Sequence, residues 1–176
     1  MPSLNHALAT RSDRRRFLRS AGFVAAVVAL GACGDPARAK DFPLKLTPAE
    51  WRKRLTPAQF AILREQGTEP PWTSPLLNEH RKGTFLCAGC DLRLFASSTK
   101  YDSHTGWPSF WAPLGGAIGT EADWSGGELR REVHCVRCGG HLGHVFGDGP
   151  RPTGLRYCIN GLALRFSPQA RTPSGP

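Results

Sequence analysis

Cys87-Ala88-Gly89-Cys90 and Cys135-Val136-Arg137-Cys138 constrain this chain more than any other feature. Each is a Cys-x2-Cys pair beside glycine, a spacing that lets one tight turn aim two sulfurs at one point. Two such turns complete a tetrahedral all-sulfur shell for one zinc ion, and with no open position that metal is structural. Any fold must therefore bring two distant turns together. Two redox-active dithiols, or two local disulfides, are the alternatives. Zinc is preferred because neither pair sits at the strand-to-helix start that a thioredoxin-like dithiol uses.

The segments around the knuckles read as short elements. Thr47-Pro48-Ala49-Glu50 and Thr56-Pro57-Ala58-Gln59 both have the form of a capping box with proline at the first helical position. They predict helices over Pro48–Arg54 and Pro57–Gln66, the second stopped by Gly67 and docking through Phe60, Ile62 and Leu63. Residues 68–84 are rich in Pro, Thr and Asn and predict an irregular surface segment. Beyond Gly83 the pattern turns to strands at Thr84–Leu86, Leu92–Phe95, Glu128–His134, His144–Phe146 and Leu155–Phe166, with Gly161 marking a bulge in the last. The fold class is mainly β, a compact antiparallel domain over residues 42–167 with a helical N-terminal cap. A content of 40% hydrophobic and 21% charged residues suffices for a core. Residues 168–176 are expected to be a disordered tail.

The basic character is partly a property of the N-terminus. Residues 1–39 hold six of the 23 Lys and Arg and two of the 14 Asp and Glu, so +4 of the net charge of +9 belongs there and +5 to the rest. Arg14-Arg15-Arg16-Phe17-Leu18-Arg19 precedes a short apolar run from Ala21 to Ala32, too short to span a bilayer and arranged as an export signal. It resembles a twin-arginine (Tat) signal, with Asp13 where Ser or Thr is usual. Ala37-Arg38-Ala39 offers an A-x-A cleavage site. Leu30-Gly31-Ala32-Cys33 resembles a lipobox that would leave Cys33 acylated and membrane-anchored. Cleavage after Ala39 is preferred over lipidation because glycine is not the commonest residue at that lipobox place. A periplasmic location is expected, and since Tat systems carry folded cargo, zinc would be loaded before the chain meets an oxidising compartment.

With four knuckle cysteines and Cys33 set aside, Cys158 remains, in Arg156-Tyr157-Cys158-Ile159-Asn160. Strand alternation puts Arg156, Cys158 and Asn160 on one face and Tyr157 and Ile159 on the other. A lone cysteine is usually a core filler, but a thiol on a polar face beside a guanidinium favours the nucleophilic thiolate. Gly139-Gly140-His141-Leu142-Gly143-His144 adds two histidines, suited to proton transfer or to a further metal, without a third ligand close in sequence. Gly106-Trp107-Pro108-Ser109-Phe110-Trp111 places aromatics on a turn, as core or as a pocket wall.

Together these motifs, with Asp148-Gly149-Pro150, resemble the methionine-R-sulfoxide reductase (MsrB) family across residues 46–167. The resemblance implies two antiparallel sheets in a compact barrel-like fold, often with a zinc held by four cysteines, here Cys87, Cys90, Cys135 and Cys138. It implies that Cys158 attacks a methionine sulfoxide and becomes a sulfenic acid, with His141 or His144 protonating the departing oxygen. Trp107, seconded by Phe110, would hold the substrate methyl group. Arg156 and Asn160 would tune the thiolate and polarise the sulfoxide, and Asp148 would orient a histidine or Arg156. The substrate is expected to be the R epimer, free or in protein.

Many members of that family carry a resolving cysteine in the loop before Gly-Trp-Pro-Ser-Phe, where this chain has Thr105. A one-cysteine cycle follows, in which a thioredoxin-like protein or a small thiol reduces the sulfenic acid. A monomer is expected. A zinc-ribbon module for nucleic acid would account for the knuckles, but the residual +5 forms no basic stripe interleaved with aromatics and Cys158 would have no role.

Overall fold

The computed structural model describes residues 41–170. The twin arginine, the lipobox and Cys33, the A-x-A site and residues 171–176 lie outside the described residues.

Both capping boxes form. In α1 (Pro48–Arg54) the Glu50 carboxylate accepts from the Thr47 backbone at 2.7 Å while the Thr47 hydroxyl accepts from the Glu50 N–H at 3.3 Å. In α2 (Pro57–Glu65) Gln59 and Thr56 repeat the exchange at 3.1 and 3.2 Å. Each box satisfies two otherwise orphaned backbone donors, which is how helices of seven and nine residues persist. The stop of α2 differs from expectation: Gln66, not Gly67, takes the left-handed conformation, at φ 56°. Phe60, Ile62 and Leu63 are buried as the pattern required, together with Trp51 of α1. Arg64 lies over the Trp51 ring at 4.9 Å and donates to the Cys138 carbonyl at 2.8 Å, so α2 sits against the second knuckle. Among the described residues no helix is long and apolar enough to cross a membrane.

Among the described residues nine strands make two antiparallel sheets. The smaller contains β1 (Gly83–Cys87), β2 (Arg93–Ala96) and β9 (Leu164–Pro168), in the order β2-β1-β9. The larger contains β3 (Lys100–Tyr101), β4 (Ser109–Phe110), β5 (Ile118–Asp123), β6 (Arg130–Cys135), β7 (His141–Phe146) and β8 (Arg156–Ile159), in the order β3-β4-β8-β7-β6-β5. The larger sheet is open, with β3 and β5 as its edges, rather than a closed barrel. Phe110 joins the two sheets, stacked on Phe95 at 4.3 Å and edge-on to Phe85 at 4.9 Å. All three rings are fully buried; full burial stabilises by roughly 1.5–3 kcal/mol per side chain of this kind.

The long strand expected over Leu155–Phe166 is two strands. β8 ends at Ile159, a 3-10 turn spans Gly161–Ala163, and β9 pairs with β1 in the other sheet. Gly161 is therefore a crossing point between sheets and not a bulge. A Cβ there would collide with the Ser74 hydroxyl, so the turn passes against the irregular segment at a distance only glycine allows.

Candidate functional site

Cys87 ends β1 and Cys135 ends β6, so the first cysteine of each knuckle is delivered by a different sheet. Cys90 and Cys138 lie in the turns that follow, and all four are buried. The sulfurs of Cys87 and Cys138 are 3.7 Å apart and those of Cys90 and Cys135 3.5 Å, and all four lie within 4.8 Å of one another. Sulfurs bound at about 2.3 Å around a tetrahedral zinc would be separated by about 3.8 Å, whereas a disulfide needs about 2.05 Å. The four donors thus fit a structural zinc and are not paired as disulfides.

Cys158 lies in the middle of the larger sheet. Its ladder partners are Ser109 on β4 and His144 on β7, and residues directly opposite in antiparallel strands carry side chains on the same face, with Cβ atoms about 4.5–5.5 Å apart. β8 has the expected alternation: Tyr157 and Ile159 are buried, while Arg156 and Cys158 are half-buried on the other face. Gly143 permits the close approach of β7, since a Cβ at its φ of 152° would strike the Cys158 carbonyl. Thr105, Ser103 and Ser109 form a chain of hydroxyls beside the thiol: Thr105 Oγ1 is 3.9 Å from the Cys158 sulfur, Ser103 Oγ is 2.8 Å from Thr105, and Ser109 Oγ is 2.7 Å from Ser103.

Cys158, His144, Trp107 and Asn160 line one cavity of about 120 Å³, together with Thr68, Arg130, Gly143 and Phe146. That is room for a side chain of several heavy atoms rather than a single water. Asn160 is buried with its amide committed: the oxygen accepts from the Glu69 N–H at 3.0 Å and the nitrogen donates to the Leu142 carbonyl at 3.1 Å. The Trp107 indole N–H donates to the Glu69 carbonyl at 3.1 Å. His144 Nε2 is 2.7 Å from Asp123, whose same oxygen accepts from Arg130 at 2.8 Å.

Other expected site residues lie elsewhere. Phe110 does not reach the cavity, because it is the ring that joins the two sheets; Phe146 is the aromatic there beside Trp107. Asp148 orients Arg156, by two hydrogen bonds of 2.9 and 2.8 Å, and neither histidine. Arg156 lies over the Phe146 ring at 4.3 Å. His141 does not line the cavity; it is buried with Nδ1 2.7 Å from Glu132 and its ring against that of His144, centroids 5.4 Å apart. Asp123, Arg130, Glu69, Thr68 and Phe146 escaped the sequence reading. Only Phe146, two residues after His144, carried a usable signal.

Electrostatics departs from expectation at the thiol. Burial pushes the Cys158 thiol up from its ordinary value, outweighing the Thr105 hydroxyl, the Arg156 charge and the Ser109 hydroxyl, which pull it down. His144 is shifted down, again chiefly by burial, against an upward pull from Asp123. Asp123 is held well below the usual carboxylate range by hydrogen bonds from Ser125 and then His144. Both shifts favour the neutral forms, thiol and imidazole, over a thiolate–imidazolium pair.

A neutral thiol beside an imidazole held by a carboxylate, facing a small aromatic-walled cavity, is equipped for thiol chemistry on one inserted side chain. A β domain whose two sheets each deliver one knuckle of a four-cysteine cluster carries this centre. The SelR domain family matches residues 55–168. Relatives called peptide methionine sulfoxide reductase MsrB come from Agrobacterium fabrum, 54% identical over 121 residues covering 68% of this chain and 90% of the relative, and from Leptospira interrogans, 50% identical over 127 residues covering 72% and 97%. A Pseudomonas putida relative of the same name is 52% identical over 124 residues, covering 70% and 93%. The chain belongs to the SelR, or MsrB, family.

Proposed function

We propose that this protein is a peptide-methionine (R)-S-oxide reductase that repairs oxidised methionine in exported proteins and accepts the free amino acid as well. The observation that carries the reading is the pairing of Cys158 with His144 on a cavity walled by Trp107 and Phe146. The names of the relatives support the same activity.

The sulfoxide side chain enters with its S-methyl group against Trp107. With Nε2 bonded to Asp123, a neutral His144 keeps Nδ1 unprotonated, so it takes the Cys158 proton as the sulfur attacks the sulfoxide sulfur. The same proton then goes to the sulfoxide oxygen, so one imidazole serves as base and then as acid. The oxygen ends on the Cys158 sulfur and methionine leaves, two electrons having passed from thiol to sulfoxide. Asn160 acts by position, since its amide is tied to Glu69 and Leu142, while the Arg156 charge favours the Cys158 thiolate.

Thr105 cannot close a disulfide on the sulfenic acid. A first external thiol condenses with it, releasing water and forming a mixed disulfide, and a second thiol attacks that bond to restore Cys158. A thioredoxin-like protein or a small thiol supplies both equivalents. Cys87, Cys90, Cys135 and Cys138 would hold one zinc, which would supply a cross-link between the sheets and no reacting group. We assign the chain to the periplasm by its Tat-like leader, as a monomer cleaved after Ala39 or lipidated at Cys33.

Turnover of a racemic methyl sulfoxide with wild type and Cys158→Ser tests the activity. Wild type should consume only the R epimer and the variant neither. Activity retained in the variant removes Cys158 from its role.

A further inference from the structure

Glu69 lies in the Pro- and Thr-rich segment that sequence patterning marks as irregular, yet it is only 3% exposed. A buried carboxylate is costly unless it is hydrogen-bonded, and here each oxygen has a backbone donor: Gly161 N–H at 2.6 Å and Leu162 N–H at 2.9 Å. Those two amides open the 3-10 turn at the crossing between the sheets, immediately after Asn160. The backbone of Glu69 is used at both ends as well. Its N–H donates to the Asn160 side chain at 3.0 Å, and its carbonyl accepts the Trp107 indole N–H at 3.1 Å. One residue therefore makes four hydrogen bonds, with two walls of the cavity and with the turn that follows β8.

We infer that Glu69 is a positioning residue of the reductase site, holding the Trp107 wall and Asn160 in register with Cys158. The carboxylate clamps the 68–72 segment to the turn after Asn160. With the backbone so fixed, the carbonyl sets the orientation of the indole and the N–H sets that of the Asn160 amide, which then delivers its nitrogen to Leu142 on β7. Thr68, the neighbouring residue, contributes to the same cavity. None of these bonds reaches the Cys158 sulfur, whose neighbours are Thr105, Ser109, Arg156 and His144. Glu69 thus governs how substrate is held and leaves the reactivity of the thiol to other groups.

The inference rests on the reductase reading, and the test separates the two. Glu69→Gln is isosteric but offers one acceptor to two N–H donors, while Glu69→Ala removes both. On an R-sulfoxide peptide, KM should rise about threefold to tenfold in Glu69→Gln and about tenfold or more in Glu69→Ala. Because the wall meets the S-methyl group in ground and transition states alike, kcat should stay within about threefold. In ¹⁵N-indole spectra the Trp107 resonance, assigned by its loss in Trp107→Phe, should move and exchange faster in both variants. The pH dependence of Cys158 alkylation should match wild type. An unmoved indole resonance with KM within about twofold of wild type overturns the inference. So does a parallel fall in kcat and alkylation, which would make Glu69 a general stabiliser. If Glu69→Ala does not fold, Glu69→Gln decides by the same criteria. If wild type reduces no sulfoxide, the reductase reading fails, while the indole resonance still reports whether Glu69 holds Trp107.

Discussion

Replacing Asp123 by Asn tests the proton path at its least obvious point. Asp123 touches neither Cys158 nor the substrate; it accepts from His144 Nε2 at 2.7 Å, from Arg130 at 2.8 Å and from the Ser125 N–H at 2.8 Å. With the carboxylate in place, the neutral imidazole carries its proton on Nε2 and leaves Nδ1 free as a base. An amide can instead donate to Nε2, which stabilises the other tautomer and closes the position that must receive the Cys158 proton. General acid–base catalysis contributes about 10²–10⁴-fold. At the lower bound Asp123→Asn should reduce kcat about a hundredfold, or about 2.7 kcal/mol of barrier. The pH profile has a definite sign. The Asp123 charge raises the His144 pKa against the burial that lowers it, so its loss lets the pKa fall further. Activity that depends on unprotonated His144 rises with pH through that pKa, so the acid limb of kcat/KM should move to lower pH while the plateau drops. Stopped-flow single turnover across the acid range, with circular dichroism to verify folding, reads both quantities. A variant with an unchanged plateau and limb would refute the dyad, and a limb that moved to higher pH would refute the sign.

Three further outcomes are expected. Thr105→Cys should form an intramolecular disulfide with Cys158 after one turnover, because the Thr105 oxygen lies 3.9 Å from the sulfur; wild type should instead be labelled there by a dimedone-type probe, and mass spectrometry distinguishes the two. Cys87→Ser should leave purified protein without zinc and with a lowered melting temperature, and wild-type zinc should be released as pH falls, since the ligands must be thiolates; metal analysis and thermal melts check both. Phe110→Ala should destabilise by about 3–5 kcal/mol, roughly 10 °C in melting temperature, with little change in KM, whereas Phe146→Ala should raise KM about fivefold at a smaller thermal cost. An exchange of those two behaviours would return Phe110 to the substrate wall.

What was legible in the sequence is what local rules specify. Thr-Pro-x-Glu and Thr-Pro-x-Gln contain their own capping partners, the Cys-x2-Cys turns contain their own geometry, and the alternation at Tyr157, Cys158 and Ile159 needs only the pleat. Apart from the stop of α2 at Gln66, the failures are non-local. β5 was missed because Ile118-Gly119-Thr120-Glu121-Ala122-Asp123 has little strand propensity. Its glycine is explained only by β6, where the His134 ring occupies the space a Cβ on Gly119 would need. Asp123 stands at the end of that unrecognised strand, so its bond to His144 was equally invisible. Glu69 was hidden by Pro- and Thr-rich neighbours, although its partners lie 38 and 91 to 93 residues further on. The raised Cys158 pKa reverses a local inference, since an adjacent guanidinium is outweighed by burial that only the assembled sheet creates.

The placement of Cys158 also links the four-cysteine cluster, which fits a structural zinc, to the proposed catalytic thiol in one small domain. β8 and β9 are consecutive in the chain but lie in different sheets, and Cys158 precedes the crossing at Gly161 by three residues. Any relative motion of the sheets would therefore act directly on Asn160, on the turn at Gly161 and on the walls that Glu69 fixes. Two devices oppose such motion: the Phe85, Phe95 and Phe110 cluster, and the four-cysteine cluster, whose proposed zinc would join the end of β1 to the end of β6. Since β6 pairs with β7, and β7 carries His144, the knuckle anchors the strand next to the imidazole's own. Zinc loss should accordingly impair Cys158–His144 cooperation before the domain unfolds. Partial chelation should lower kcat and broaden the His144 ring resonances while far-ultraviolet dichroism is still native. A strict parallel between loss of activity and loss of secondary structure would show that the metal only holds the domain together.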